Sequence, residues 1–163
     1  MPALFVVAVL FVVVAATIFA GVKTVPQGQE WVVERLGKFH KALKPGLNFI
    51  VPYIDNVSYR VSTKGDVLSI GSQEVITKDN AVIITNAVAF IKVTDPTRAV
   101  YEIQNYEYAI QNLVMTSLRA IIGQMDLNNA LSEREHIKAR LQENIAKEVA
   151  NWGIYVQSVE IQD

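Results

Sequence analysis

From Ala3 to Val22 the chain shows no alternation of polar and apolar positions: every residue is apolar or small except Thr17. A helix of about 20 such residues rises ~30 Å, the thickness of a bilayer's hydrocarbon core. Beyond Val22 the pattern changes to a period of two. Glu30–Arg35 reads as a strand, and in 57–61 the side chains of Val57, Tyr59 and Val61 share one face while Ser58 and Arg60 share the other. Lys44-Pro45-Gly46 predicts a type II turn leading into the apolar run Leu47–Tyr53. Val67–Ile70 and Ala81–Val93 flank the turn-forming pair Asp79-Asn80 and predict a β-hairpin. The second of these strands is largely apolar on both faces, which predicts a central strand covered on both sides.

After Asp95-Pro96 the period becomes 3.6. A short helix is expected over Thr97–Ile103, and a longer one from Tyr106, where Ile110, Leu113, Val114, Leu118, Ile121 and Ile122 recur at helical spacing up to Gly123. Ser132 and Glu135 have the spacing of a capping box, which predicts a helix starting there. Ile137, Leu141, Ile145 and Val149 stack along it, Glu143 and Lys147 pair on its outer side, and Trp152-Gly153 ends it. Ile154–Ile161 predicts a strand returning to the sheet. Pro26 and Gly28, between the apolar segment and the first strand, read as a hinge. The elements together predict an α+β fold, with residues 1–22 as a transmembrane anchor and 23–163 as one domain.

Charge sharpens this division. All 15 Lys and Arg and all 16 Asp and Glu lie after Val22. Thirteen of the twenty positions from Ala3 to Val22 are Leu, Ile, Val or Phe, each favouring insertion by about 0.3–0.6 kcal/mol near the helix centre, with no charge opposing them. A cleaved secretory signal would carry basic residues ahead of the apolar run and small residues at the cut. No Lys or Arg precedes the run, and a cut after Ala20 places Ile18 three residues before the site, so the segment reads as an uncleaved anchor. Lys23, Arg35, Lys38 and Lys41 follow closely after it, which predicts a cytoplasmic domain. Zero Cys agrees with a reducing compartment, and a net charge of −1 gives no footprint for nucleic acid.

The motifs Gly21-Val22-Lys23-Thr24-Val25-Pro26-Gln27-Gly28, Glu34-Arg35-Leu36-Gly37-Lys38, Lys44-Pro45-Gly46-Leu47 and Val51-Pro52-Tyr53-Ile54-Asp55 follow in order along the chain. Ser72–Asn80, Asp95-Pro96 and Trp152-Gly153-Ile154 continue the series. In combination they resemble the SPFH (band 7, stomatin/prohibitin) family, and most of all its bacterial stomatin-like branch. The resemblance implies an SPFH domain on an inner-membrane anchor, assembly into a homo-oligomeric ring or cage, and a scaffold that organises a membrane microdomain. It also implies sequestration or regulation of partner membrane proteins such as proteases. Family members continue into a long assembly helix, so the chain reads as a fragment of a longer protein. A monomeric, membrane-anchored lipid- or ligand-binding module is the alternative.

The expected membrane contacts are Leu4, Phe5, Leu10, Phe11, Ile18 and Phe19 in the anchor. Leu47, Phe49, Ile50 and Pro52 join them where the resemblance implies a loop dipping into the leaflet; on the residues alone, buried core is the favoured reading of this run, because short apolar runs are usually buried. Lys38, His40, Lys41 and Lys44 are candidates for attracting anionic headgroups. Candidate chemistry is otherwise sparse. His40 and His136 lack ligand spacing, Ser117 and Ser132 lack a nucleophile motif, and no phosphate-binding glycine loop is present. No catalytic residue, cofactor or metal is therefore expected.

Overall fold

The computed structural model describes residues 2–162, which divide into two compact units, 2–62 and 63–162. The first unit begins with helix α1, Pro2–Gly21. Strand β1 (Val22–Val25) then pairs antiparallel with β4 (Gly46–Phe49), so the chain forms sheet directly after the helix. The hinge expected at Pro26–Gly28 is instead a turn inside the folded unit, with the Gln29 amide donating to the Pro26 carbonyl. Strand β2 (Gln29–Arg35) is the middle of a second, three-stranded sheet, flanked by β3 (Lys38–Leu43) and β5 (Asp55–Ser62). A small core of Val25, Val33, Leu43 and Ile50, with Trp31 and Val57 against it, holds this unit together.

The second unit is a three-stranded antiparallel sheet in the order β6 (Gly65–Ile76), β7 (Val82–Val93), β8 (Ile154–Gln162). The β6–β7 hairpin forms where the sequence predicts it. The Thr77 hydroxyl donates to the Asp79 carboxylate across the turn, and Asn80 takes a left-handed conformation that asparagine tolerates well. Helix α2 (Pro96–Tyr101) is capped by Asp95, whose carboxylate accepts from the Thr97 and Arg98 amides. Helix α3 (Tyr106–Ile122) is capped by Asn105 in the same way. Helices α4 (Leu127–Ser132) and α5 (Arg134–Val149) follow, and a single 3-10 turn, Ala150–Trp152, ends at Gly153. Gly153 has a left-handed φ of 68°, and a Cβ there would meet the Asp95 carbonyl at 2.6 Å. Only glycine fits, and its own carbonyl accepts from the Thr94 and Asp95 amides.

Two expectations need correction. Ser132 does not cap α5: it is the last residue of α4, and its hydroxyl donates to the Asn128 carbonyl at 2.7 Å. A carbonyl four residues back competes for a serine hydroxyl, while the start of α4 is served by Asp79, which accepts from the Leu127 amide. Strand β7 is central but is covered on one side. Ala87, Ala89 and Ile91 are buried beneath the helices, whereas Val82 and Ile84 on the opposite face are exposed and Val88 and Phe90 half-buried. The reason is that α3, packed on β6, and α5, packed on β8, also pack on each other and so occupy the same face.

Candidate membrane-contact site

The site is built from the two ends of the first unit's chemistry, an apolar helix and the loop that returns beside it. Along α1 every described side chain is exposed or half-buried except at Gly21. Leu4, Phe5, Leu10, Phe11, Ile18 and Phe19 all point outward, with Phe19 76% exposed. The one polar side chain, Thr17, donates its hydroxyl to the Val13 carbonyl at 2.8 Å. The helix thus keeps its polar groups bonded within itself, as a hydrocarbon surrounding requires.

Pairing of β1 with β4 brings the loop after β4 back to the base of α1, and the Ile50 amide donates to the Gly21 carbonyl at 2.9 Å. This approach is possible because Gly21 has no side chain: a Cβ there would lie 2.5 Å from the Ile50 carbonyl oxygen. Gly21→Ala should therefore push the loop away from the helix and cost about 1–3 kcal/mol, as overpacking does. Thermal unfolding of the detergent-solubilised chain, together with faster hydrogen exchange at the Ile50 amide, checks this.

Beside the helix the loop is mostly apolar and open. Leu47 is 66% exposed, Phe49 58% and Tyr53 94%, with Val51 and Ile54 also exposed and Pro52 half-buried. Ile50 is the exception. It turns inward into the core with Val25, Val33 and Leu43 and is only 8% exposed. Phe49, Val51 and Pro52 share a shallow apolar cleft with Thr17 and Ile18 of α1, making one continuous apolar surface from helix to loop. Sequence alone identified the helix through composition. It could not separate Ile50 from its neighbours, because an unbroken apolar run carries no in–out signal.

The loop is clamped by charge. Arg35 donates two hydrogen bonds to the Asp55 carboxylate, at 2.6 and 3.0 Å, and the Val51 amide adds a third at 2.9 Å. The Asp55 side chain is only 1% exposed. The Arg35 hydrogen bonds, reinforced by the Val51 amide, hold its carboxyl well below the usual range, and the same pairing raises Arg35. The clamp therefore contributes fully above the ordinary carboxyl value of about 3.9 and is lost only as pH falls through the lowered one. Asp55→Asn should speed exchange of the Val51 amide by at least about tenfold, the scale of one charge-assisted hydrogen bond. In the unmodified chain the same amide should exchange independently of this clamp's titration from neutral pH down to about 4, once intrinsic exchange is corrected for. Both outcomes are read by hydrogen exchange.

Among the expected cationic residues, Lys38, His40 and Lys44 are exposed, and Lys41 donates to the Phe49 carbonyl at 2.6 Å. Outside the motifs, Trp31 and Arg60 meet, the Arg60 guanidinium lying 4.6 Å from the centre of the Trp31 ring. Their pairing follows from the β2–β5 register, which sequence does not display. Among the described residues there is no group of three or more His, Cys, Asp or Glu able to hold a metal.

Comparison with known proteins places this arrangement. An uncharacterized protein of Methanocaldococcus jannaschii is 41% identical over 154 residues, which cover 94% of this chain and 74% of that protein. An uncharacterized protein of Archaeoglobus fulgidus is also 41% identical over 154 residues, covering 94% of this chain and 61% of its own length. Human mitochondrial stomatin-like protein 2 is 36% identical over 139 residues, covering 85% of this chain and 39% of that protein. The chain thus spans well under two thirds of several relatives it matches. The family model described as SPFH domain / Band 7 family matches residues 23–163, immediately after α1, and the chain belongs to that family.

Proposed function

We propose that residues 1–22 anchor this chain in a membrane and that the SPFH domain of residues 23–163 is the repeating part of a homo-oligomeric scaffold. The scaffold organises a membrane patch and sequesters or regulates partner membrane proteins, proteases among them. The observation that carries the membrane part is the continuous apolar surface from α1 to Phe49, Val51 and Pro52. Family membership and the stomatin-like relatives support the scaffold-type role. In this reading Leu4, Phe5, Leu10, Phe11, Ile18 and Phe19 contact acyl chains, and Leu47, Phe49 and Pro52 rest in the nearer leaflet. Lys23, Arg35, Lys38 and Lys41 favour the cytoplasmic face of an inner or plasma membrane. Function then comes from repetition of anchors and walls, and no residue need perform chemistry.

The test is the particle mass of the detergent-extracted, full-length protein by mass photometry. A large closed assembly supports the scaffold. A monomer at all concentrations overturns it and favours a single-copy membrane-anchored binding module.

A further inference from the structure

Next to the junction of α1 and β1, the first unit carries a cleft of about 500 Å³, within the ~300–1,000 Å³ range of small-molecule sites. Lys23, Trp31, Pro52, Tyr53, Asp55 and Arg60 contribute to its walls. Lys23 stands in β1, two residues past the end of the helix, and Arg60 is the cross-strand partner of Trp31. The Arg60 guanidinium lies over the Trp31 ring, 4.6 Å from its centre, a cation–π contact that holds the charge at the cleft wall. Neither Lys23 nor Arg60 takes part in an ion pair among the described residues. Asp55 is the one carboxylate in the wall, and its oxygens are already engaged by Arg35 and the Val51 amide. The cleft thus presents two uncompensated cations and a neutralised acid.

We propose that this cleft binds the phosphate headgroup of an anionic phospholipid, in the leaflet where the C-terminal end of α1 emerges. The inference rests on the membrane-anchored reading above. A soluble phosphate ester offers the same anionic oxygens, but the surroundings favour a lipid. Ala20, in the last turn of the anchor, lines the cleft, so the cations sit at the depth where the apolar helix ends. Pro52 and Ile50 are shared with the apolar cleft formed by Ile18 and Phe49. A headgroup held by Lys23 and Arg60 therefore has an apolar path for its acyl chain directly alongside. Trp31 and Tyr53 have the amphipathic rings that suit this depth.

The chain contains two tryptophans, so Trp152→Phe leaves Trp31 as the sole indole reporter. The full chain with this change, in maltoside micelles, is titrated with phosphatidylglycerol, phosphatidylcholine, inorganic phosphate or glycerol phosphate. Phosphatidylglycerol should give a saturable change in Trp31 emission, and the other three should not. Arg60→Gln and Lys23→Gln should each weaken phosphatidylglycerol binding about tenfold, the loss expected for one charge-assisted hydrogen bond. Lys78→Gln, an exposed lysine of the second unit outside the cleft, should change it by less than about twofold. Native mass spectrometry of lipid adducts should give the same ranking without relying on the indole. An equal loss in Lys78→Gln overturns the proposal in favour of diffuse charge attraction. Saturation by inorganic or glycerol phosphate alone overturns the lipid source. Flotation with phosphatidylcholine vesicles separates the two levels: a chain that floats but shows no phosphatidylglycerol response overturns the headgroup site only, and one that does not float overturns the anchor as well.

Discussion

Leu10→Arg combined with Val14→Arg should move the chain from the membrane fraction to the soluble fraction. The two positions lie one turn apart near the middle of α1, and both side chains are more than half exposed on the helix surface. Each arginine costs about 2.5–3.5 kcal/mol at the centre of a bilayer, and each replaced residue forfeits about 0.3–0.6 kcal/mol of insertion. The pair therefore costs roughly 6–8 kcal/mol, against roughly 4–8 kcal/mol contributed by thirteen Leu, Ile, Val and Phe positions. Carbonate extraction followed by vesicle flotation reads the outcome. Leu10→Ala with Val14→Ala, which removes apolar area without adding charge, should remain membrane-bound. Retention of the arginine pair in the membrane would mean that the Phe49–Ile54 loop, rather than α1, provides most of the hold.

The second large effect is expected in the other unit. Leu141 is fully buried, on the face of α5 that packs against α3 and β8. Its truncation to alanine removes the transfer free energy of the lost carbons and leaves a cavity, together about 2–5 kcal/mol. Native stability is only ~5–15 kcal/mol, so this is a large share. For a unit of about 100 residues each kcal/mol lowers the midpoint by roughly 4–8 °C, which places the expected shift on the order of 10–20 °C or more. Circular dichroism of the detergent-solubilised chain should show it. Leu131→Ala, at a position 51% exposed in α4, should shift the midpoint by only a few degrees. Equal shifts for the two would mean that α5 is not the spine of this core.

Neither α5 nor α3 is stabilised by much beyond that packing. Of the ion pairs on α5, Lys147 with Glu143 at 2.8 Å is solvent-exposed and contributes little, while Lys138 with Glu160 at 2.8 Å is half-buried. What holds the second unit is the apolar interface formed by Ile110, Val114, Leu118, Leu141, Ile145 and Val149 over the inner face of the sheet. The first unit relies on a smaller core, and its clamped Asp55 and close contact at Gly21 matter correspondingly more.

The elements whose physics is local are legible along the chain. A charge-free run of 20 residues specifies a helix with the reach of a bilayer, because nothing in it prefers water. Period-two and period-3.6 patterns located β5, α3 and α5, and apolar or β-branched runs bounded by turn residues located β2, β7 and β8. The ordered motifs led to the family before any contact was visible. Features that depend on partners distant in the chain emerge only once it is folded. Strand β1 overlaps the end of the expected anchor and precedes the expected hinge; four residues carry little pattern, and it is a strand because β4 returns to pair with it. Ser132 had the spacing of a cap but met a nearer acceptor in the turn behind it, while Asp79, 48 residues away in sequence, supplied the cap to α4. Leu47 and Phe49 face outward while Ile50 turns in, a distinction set by the Gly21 contact rather than by hydrophobicity. The cleft of Lys23, Trp31 and Arg60 likewise exists only once β2 and β5 are in register, because proximity between residues 29 apart is a property of pairing and not of spacing.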